Sequence, residues 1–219
     1  MRKRISVSLS NLFRGKGKTQ TLAKVREQAK NAQALLMGRL LTGKIYECWR
    51  VLQTAYFGPG ISKIYDPLFE DETREALRSL GRYFGRRNLI EDVRNFYAFH
   101  YAPDQIEAGY AKVIEGDLLD IYLSQTNANT LYAFADTVTG RALMESIDAE
   151  DHGRALGALI TETSKAIGLL NTVIAGIFIT CFTRHIGGDL YTLGATIIEV
   201  PGAPEWKKVA IPFFIEIKD

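Results

Sequence analysis

Apolar positions along the chain fall into long helical rows separated by a few strong turn signals. From Thr21 onward, Leu22, Val25, Ala29, Ala32, Leu36 and Leu40 recur at steps of three and four, and Leu41, Ile45, Trp49, Leu52 and Tyr56 continue the row. Gly58-Pro59-Gly60 ends it. A helix this long needs neighbours to cover its apolar side, which predicts a bundle. Asp71 to Phe84 predicts a second helix, with acids in its first turn, a stripe of Ala76, Leu77, Leu80 and Phe84, and Gly85 as its stop. Asn88-Leu89-Ile90-Glu91 has the form of a capping box and predicts a third helix to about Tyr101, since Pro103 disfavours helical geometry at Ala102. Pro103 then opens a short helix to about Ile114.

Leu118 to Leu123 predicts a short strand, and the segment from Thr130 reads equally as strand or helix. Asp148 is placed to cap a long helix whose stripe is Leu156, Ile160, Thr163, Ile167, Leu170, Ile174, Ile177 and Cys181, ending at Gly187-Gly188. Beyond it the period changes. "ATIIEV" and "VAIPFFIEI", with turn residues between them, predict a C-terminal hairpin in which Pro212 forces an edge or a bulge. The expected fold is therefore mostly α: a helical bundle over residues 21–188, with a basic arm at 1–20, a short strand near 118–123 and a β-hairpin within 189–219.

Composition changes this picture little. The 219 residues suffice for one generous domain, and 47% hydrophobic with 24% charged residues is ordinary for a globular chain. Cys48 and Cys181 lie far apart in apolar helical context and read as small buried hydrophobes; no disulfide, metal or cofactor is expected. The basic start lacks the unbroken apolar stretch of a signal peptide, so the expected location is the cytoplasm. Charge adds one feature. Six of the 27 basic residues and no acid lie in the first 20 positions, leaving 21 basic and 25 acidic residues on the remainder. A basic arm on a mildly acidic body suits phosphate, or is simply a solvated tail. Gly17-Lys18-Thr19 is not a phosphate loop, because the required glycine five positions earlier is Leu12.

The candidate chemistry lies in "RNFYAFHY", residues 94 to 101. On a helix at ~100° per residue, Ile90, Val93, Tyr97 and Tyr101 share one stripe, with Arg94 and His100 on its two flanks. Two copies meeting across that stripe by two-fold symmetry would bring Arg94 of one towards His100 of the other. Histidine exchanges a proton near neutral pH, and the arginine fork suits a phosphate whose charge grows in the transition state. The plainer account is a polar, fraying helix end.

"VRNFYAFHY" resembles the active motif of the HEPN superfamily (higher eukaryotes and prokaryotes nucleotide-binding domain). In that family an arginine, followed by a polar residue that is often asparagine, precedes a histidine by four to six intervening residues. Here Arg94, Asn95 and His100 match, with five residues between Arg94 and His100. The resemblance implies an all-helical dimeric core and, in toxin and antiviral-defence members, metal-independent endoribonuclease activity; other members are non-catalytic binding or assembly modules. It implies Arg94 and His100 as catalytic residues, Asn95 and Tyr101 as substrate contacts, no cofactor, and RNA, a second copy and a cognate antitoxin as partners. The strand near 118–123 and the C-terminal hairpin depart from the minimal helical pattern.

Three other features have plainer readings. His185 closes the long helix, where a cation complements the dipole. His152 sits among Asp148, Glu150 and Asp151, and ordinary surface charge accounts for it better than a metal site. Ala166 to Phe182, at 17 residues, is near the lower limit of a bilayer span of ~17 to 25, but a fully buried central helix is the preferred account.

Overall fold

A computed structural model describes residues 6–7, 22–99, 102–113, 121–123, 130–188, 201–202, 205 and 208–209. The fold is mostly helical. Helix α1 (Leu22–Val51) runs into a π-helical turn (Leu52–Phe57), followed by α2 (Ser62–Tyr65), a 3₁₀ turn (Asp66–Leu68) and α3 (Asp71–Phe84). Then come α4 (Leu89–Val93), a second π-helical turn (Arg94–Ala98), α5 (Pro103–Ala111), α6 (Ala133–Ile147) and α7 (His152–His185). Two short strands, β1 (Ser6–Val7) and β2 (Tyr122–Leu123), pair antiparallel, Ser6 opposite Leu123. The strand expected at 118–123 is thus present only as Tyr122–Leu123 among the described residues, and Leu131 bridges to Tyr122 before α6 begins. At the C-terminus, Gly202 takes a positive φ of 78° in the expected turn, and the hairpin's strands lie outside the described residues.

By contacts the chain divides into two compact units. One comprises Met1–Leu41, Val93–Leu156 and Ala210–Asp219; the other comprises Thr42–Asp92 and Gly157–Val209. The second unit follows the sequence closely. Ala76, Leu77, Leu80 and Phe84 all point inward from α3, beside Ile45, Trp49, Leu52, Tyr56, Phe69, Ile90, Ala166, Leu170 and Val173. Glu70 precedes the helix in extended conformation, Asp71 and Glu72 complement its dipole, and Gly85 stops it. Trp49 stacks on Phe84 with centroids 5.1 Å apart. In its first turn α3 presses Thr73 against α7 so closely that a Cβ at Gly176 would lie 2.3 Å from the threonine methyl. The first unit has a smaller apolar cluster of Val25, Ala29, Ala32, Tyr122, Leu131 and Ala133.

The long helices differ from expectation in which residues they bury. On α1 the expected row packs at Val25, Ala29, Ala32, Ile45 and Trp49, and departs only in the middle, where Arg39 and Thr42 are buried and Leu36 and Leu41 are exposed. On α7 the inward row runs Ala155, Leu159, Thr163, Ala166, Leu170 and Val173, while Leu156, Ile160 and Ile174 face outward. A stripe drawn through the largest apolar residues therefore misses the packed one in the middle of α1 and at Leu156, Ile160 and Ile174 of α7. Small and hydroxylated residues let helices approach closely, and Thr42 and Thr163 hydroxyls meet at 3.2 Å within the second unit. Helix α7 is long and apolar enough to cross a bilayer, yet only 17% of its most apolar stretch is buried. It is a one-sided helix and not the fully buried one expected.

The start of α7 also shifts. Asp151, and not Asp148, is its cap: Asp151 Oδ1 accepts the backbone N–H groups of Gly153 and Arg154 at 2.8 and 3.0 Å. Asp148 builds the preceding turn by accepting the N–H groups of Glu150 and Asp151.

Candidate functional site

The motif lies in the first unit, on the turn where the backbone widens from α to π geometry. Asn88 opens α4 as a cap, its Oδ1 accepting the Glu91 N–H at 2.9 Å. The helix holds α geometry only to Val93, and Arg94–Ala98 form the π-helical turn. The ~100° projection used to place Arg94 against His100 therefore stops applying at the first motif residue. Such single π turns are frequent at functional sites. Phe99 follows the turn, and the backbone N–H of Ala102 reaches back to the Phe96 carbonyl at 3.4 Å.

Arg94 and Asn95 are brought together. Both are half-buried, and Arg94 Nη1 donates to Asn95 Oδ1 at 3.0 Å. That bond aligns the guanidinium with the neighbouring amide, a pairing suited to offering several N–H donors to one phosphate. His100 and Tyr101, the other two expected site residues, lie outside the described residues.

Tyr97 anchors the turn from the inside. It is 1% exposed, and its hydroxyl lies 3.1 Å from both the Ala142 carbonyl and Gln105 Oε1. Gly109 makes this possible by allowing α5 to press on α6: a Cβ there would lie 2.5 Å from the Ala142 Cβ. The backbone of the same tyrosine meets Arg39, which is 2% exposed and brings Nη1 to 3.4 Å from the Tyr97 carbonyl. Arg39 Nη2 lies 3.7 Å from Asp136 Oδ1 on α6. Burial pushes the Asp136 carboxyl above its ordinary range, and the nearby Arg39 charge only partly opposes this. The motif turn is thus held by a tyrosine hydroxyl at one end of a side chain and a buried guanidinium at its backbone.

This anchoring corrects one expectation. Ile90 and Val93 are 0% exposed and Tyr97 nearly so, which places these three members of the proposed stripe inside their own chain. They cannot form the seam between two copies. The apolar pattern was sound, but its cover comes from the same polypeptide. Arg39, Gln105 and Asp136 are the residues that sequence reasoning missed. The one signal for them was an arginine embedded in the apolar run "LLMGRLL".

The remaining candidates keep plain roles. His185 Nε2 lies 2.7 Å from the Tyr65 hydroxyl at the end of α7, where Arg184 also covers the Tyr65 ring. His152 Nε2 lies 3.6 Å from Glu145 Oε1, while Asp148 and Asp151 are engaged by backbone amides and by Arg154. The Arg154 guanidinium holds the Asp148 carboxyl below its ordinary range. No metal-ligand cluster occurs among the described residues. Cys48 is partly buried, and burial raises its thiol pKa, so it is a poor nucleophile.

Comparison with protein-family models, with curated proteins and with solved structures gives no match to this chain.

Proposed function

We propose that the protein is a metal-independent endoribonuclease of HEPN type that works as a homodimer in the cytoplasm, in a toxin or antiviral-defence role. The observation that carries this reading is the Arg94-Asn95 pair on an anchored π turn, with five residues between Arg94 and His100. In the proposed reaction a ribose 2′-oxygen attacks the adjacent phosphorus and the 5′-oxygen leaves. His100 takes the 2′-hydroxyl proton or supplies one to the leaving oxygen, and with two copies both transfers have a donor or acceptor. Arg94 binds the phosphate as its charge grows, Asn95 orients it, and Tyr101 contacts the substrate. Neither step calls for a metal or cofactor.

RNA cleavage in the presence of a chelator tests the proposal. His100→Ala is expected to lower the rate by about 10²- to 10⁴-fold, the usual contribution of a general acid or base. Equal activity in both proteins, or loss of activity on chelation, overturns it. A second reading, a non-catalytic binding or assembly module of the same family, draws support from the outward apolar residues of α7, with Ile160 57% and Phe178 58% exposed. Expression separates the two. Toxicity relieved by Arg94→Ala or His100→Ala supports the enzyme, and a harmless wild type supports the module.

A further inference from the structure

Outside its N-terminal arm the chain carries four more acids than bases, yet cations gather along one side of α3 and its exit. Arg74, Arg78, Arg82 and Arg86 recur at steps of four, a spacing that stacks residues along one helix flank with ~6 Å of rise between neighbours. Arg74 is held by Asp71. Glu75 is shared, lying 3.4 Å from Arg78 Nη1 and 2.5 Å from Arg82 Nη2, so one carboxylate faces two guanidiniums. Both arginines stay more than 60% exposed at their side chains, at 64% and 68%.

The flank forms one wall of a groove of about 630 Å³ within the second unit. Arg82 and Arg86 line it from α3 and the residues just beyond, and Lys165 lines it from α7. The acid in the groove, Glu162, accepts the hydroxyl of Tyr83, whose pKa burial raises well above the usual phenol range. Two elements thus converge three cations on an open depression that Ser79 also lines. Arginine presents a donor fork to phosphate oxygens and lysine a mobile point charge, the combination that follows a phosphate backbone without reading bases.

We infer that this groove binds the phosphate backbone of single-stranded RNA, as a second contact region formed by Arg82, Arg86 and Lys165. The choice of ligand rests on the ribonuclease reading above; the geometry and charge of the groove do not. Binding here is sequence-independent and salt-sensitive, because it releases counterions from the strand.

The test uses full-length His100→Ala protein, so that the probe is not cut, and a fluorescent single-stranded oligouridylate titrated across salt concentrations. Arg82→Glu/Arg86→Glu and, separately, Lys165→Glu are expected to weaken binding at least about tenfold at low salt. Arg82→Gln/Arg86→Gln/Lys165→Gln is expected to flatten the slope of log K against log salt by roughly 2, at about 0.7 per lost contact. The residues are exposed, and urea midpoints equal to the parent's verify that the variants fold. Unchanged affinity and slope overturn the inference, as does complete displacement of the oligonucleotide by inorganic pyrophosphate, which would mark a small-anion site. Failure of the cleavage assay with a groove-dependent affinity would remove the enzyme reading and leave this site standing.

Discussion

Around Trp49 and Phe84 the second unit closes on carbon: two stacked rings, Leu80 and Ile90 without exposed surface, and Val173 from α7. Around Tyr97 the first unit closes on polar groups, with the Arg39 guanidinium, the Asp136 carboxyl and a tyrosine hydroxyl turned inward. An apolar core is forgiving about geometry, since dispersion and area burial have little direction. A buried guanidinium tolerates few positions, because its donors need acceptors and its charge needs a partner. The second arrangement surrounds the one turn carrying the candidate chemistry. Polar burial there fixes backbone geometry at the motif, where an apolar core would fix only proximity.

The largest effects in both regions should appear on truncation. Leu80→Ala leaves a cavity in the carbon core and is expected to cost about 3 kcal/mol in denaturant unfolding. Arg39→Met should cost a similar amount for a different reason, by leaving Asp136 half-buried without its counter-charge. The comparison sharpens in the double variant. Arg39→Met/Asp136→Leu should be more stable than Arg39→Met alone, since no uncompensated charge remains. A double variant that loses the sum of the two single effects would mean that Arg39 and Asp136 act independently, with no coupling between the two charges.

A smaller effect is expected at the tyrosine. Tyr97→Phe keeps the ring and removes the hydroxyl bonded to the Ala142 carbonyl, which should cost about 1–2 kcal/mol by the same measurement. The sedimentation behaviour should match the parent's, because the ring does not reach a partner chain. A dissociated variant of unchanged stability would restore the intersubunit seam that the burial of Tyr97 rules against.

The smallest effect is in pH. The folded Asp136 carboxyl titrates above its unfolded value of about 4, so between the two values the native state holds more of the proton. Its contribution to stability therefore falls as pH rises through that window. Asp148, held low by Arg154, has the opposite sign and supports the fold above about pH 4, losing that support as acid is added. Urea unfolding at stepped pH should show Asp136→Asn and Asp148→Asn tilting the stability profile in opposite directions. Parallel profiles would show that neither carboxyl is perturbed in the folded protein.

Much of the fold was legible because packing and apolarity coincide on α3. Its acids, its four-residue stripe and its terminal glycine all mark the same helix. On α1 and α7 they separate. Arg39, Thr42, Ala155 and Ala166 are buried while Leu36, Leu41, Ile160 and Ile174 are not, and a reading that ranks residues by apolarity chooses Leu41 over its buried neighbour Thr42 and Ile160 over Leu159. The motif itself was visible as a spacing, and Arg94 and Asn95 do meet. The π turn was not visible, because no residue type specifies it. Nor could the sequence say that the stripe beside the motif is covered by its own chain, since an interior and an interface present the same pattern.

The close approach at Gly109 has a consequence for how the protein can be altered. That position joins α5 to α6 with space for a hydrogen and nothing larger, so even Gly109→Ala would push α6 outward. The Ala142 carbonyl would move with it, away from the Tyr97 hydroxyl. A single methyl group, placed on a helix that carries none of the motif residues, would thus act as a remote dial on the turn that holds Arg94.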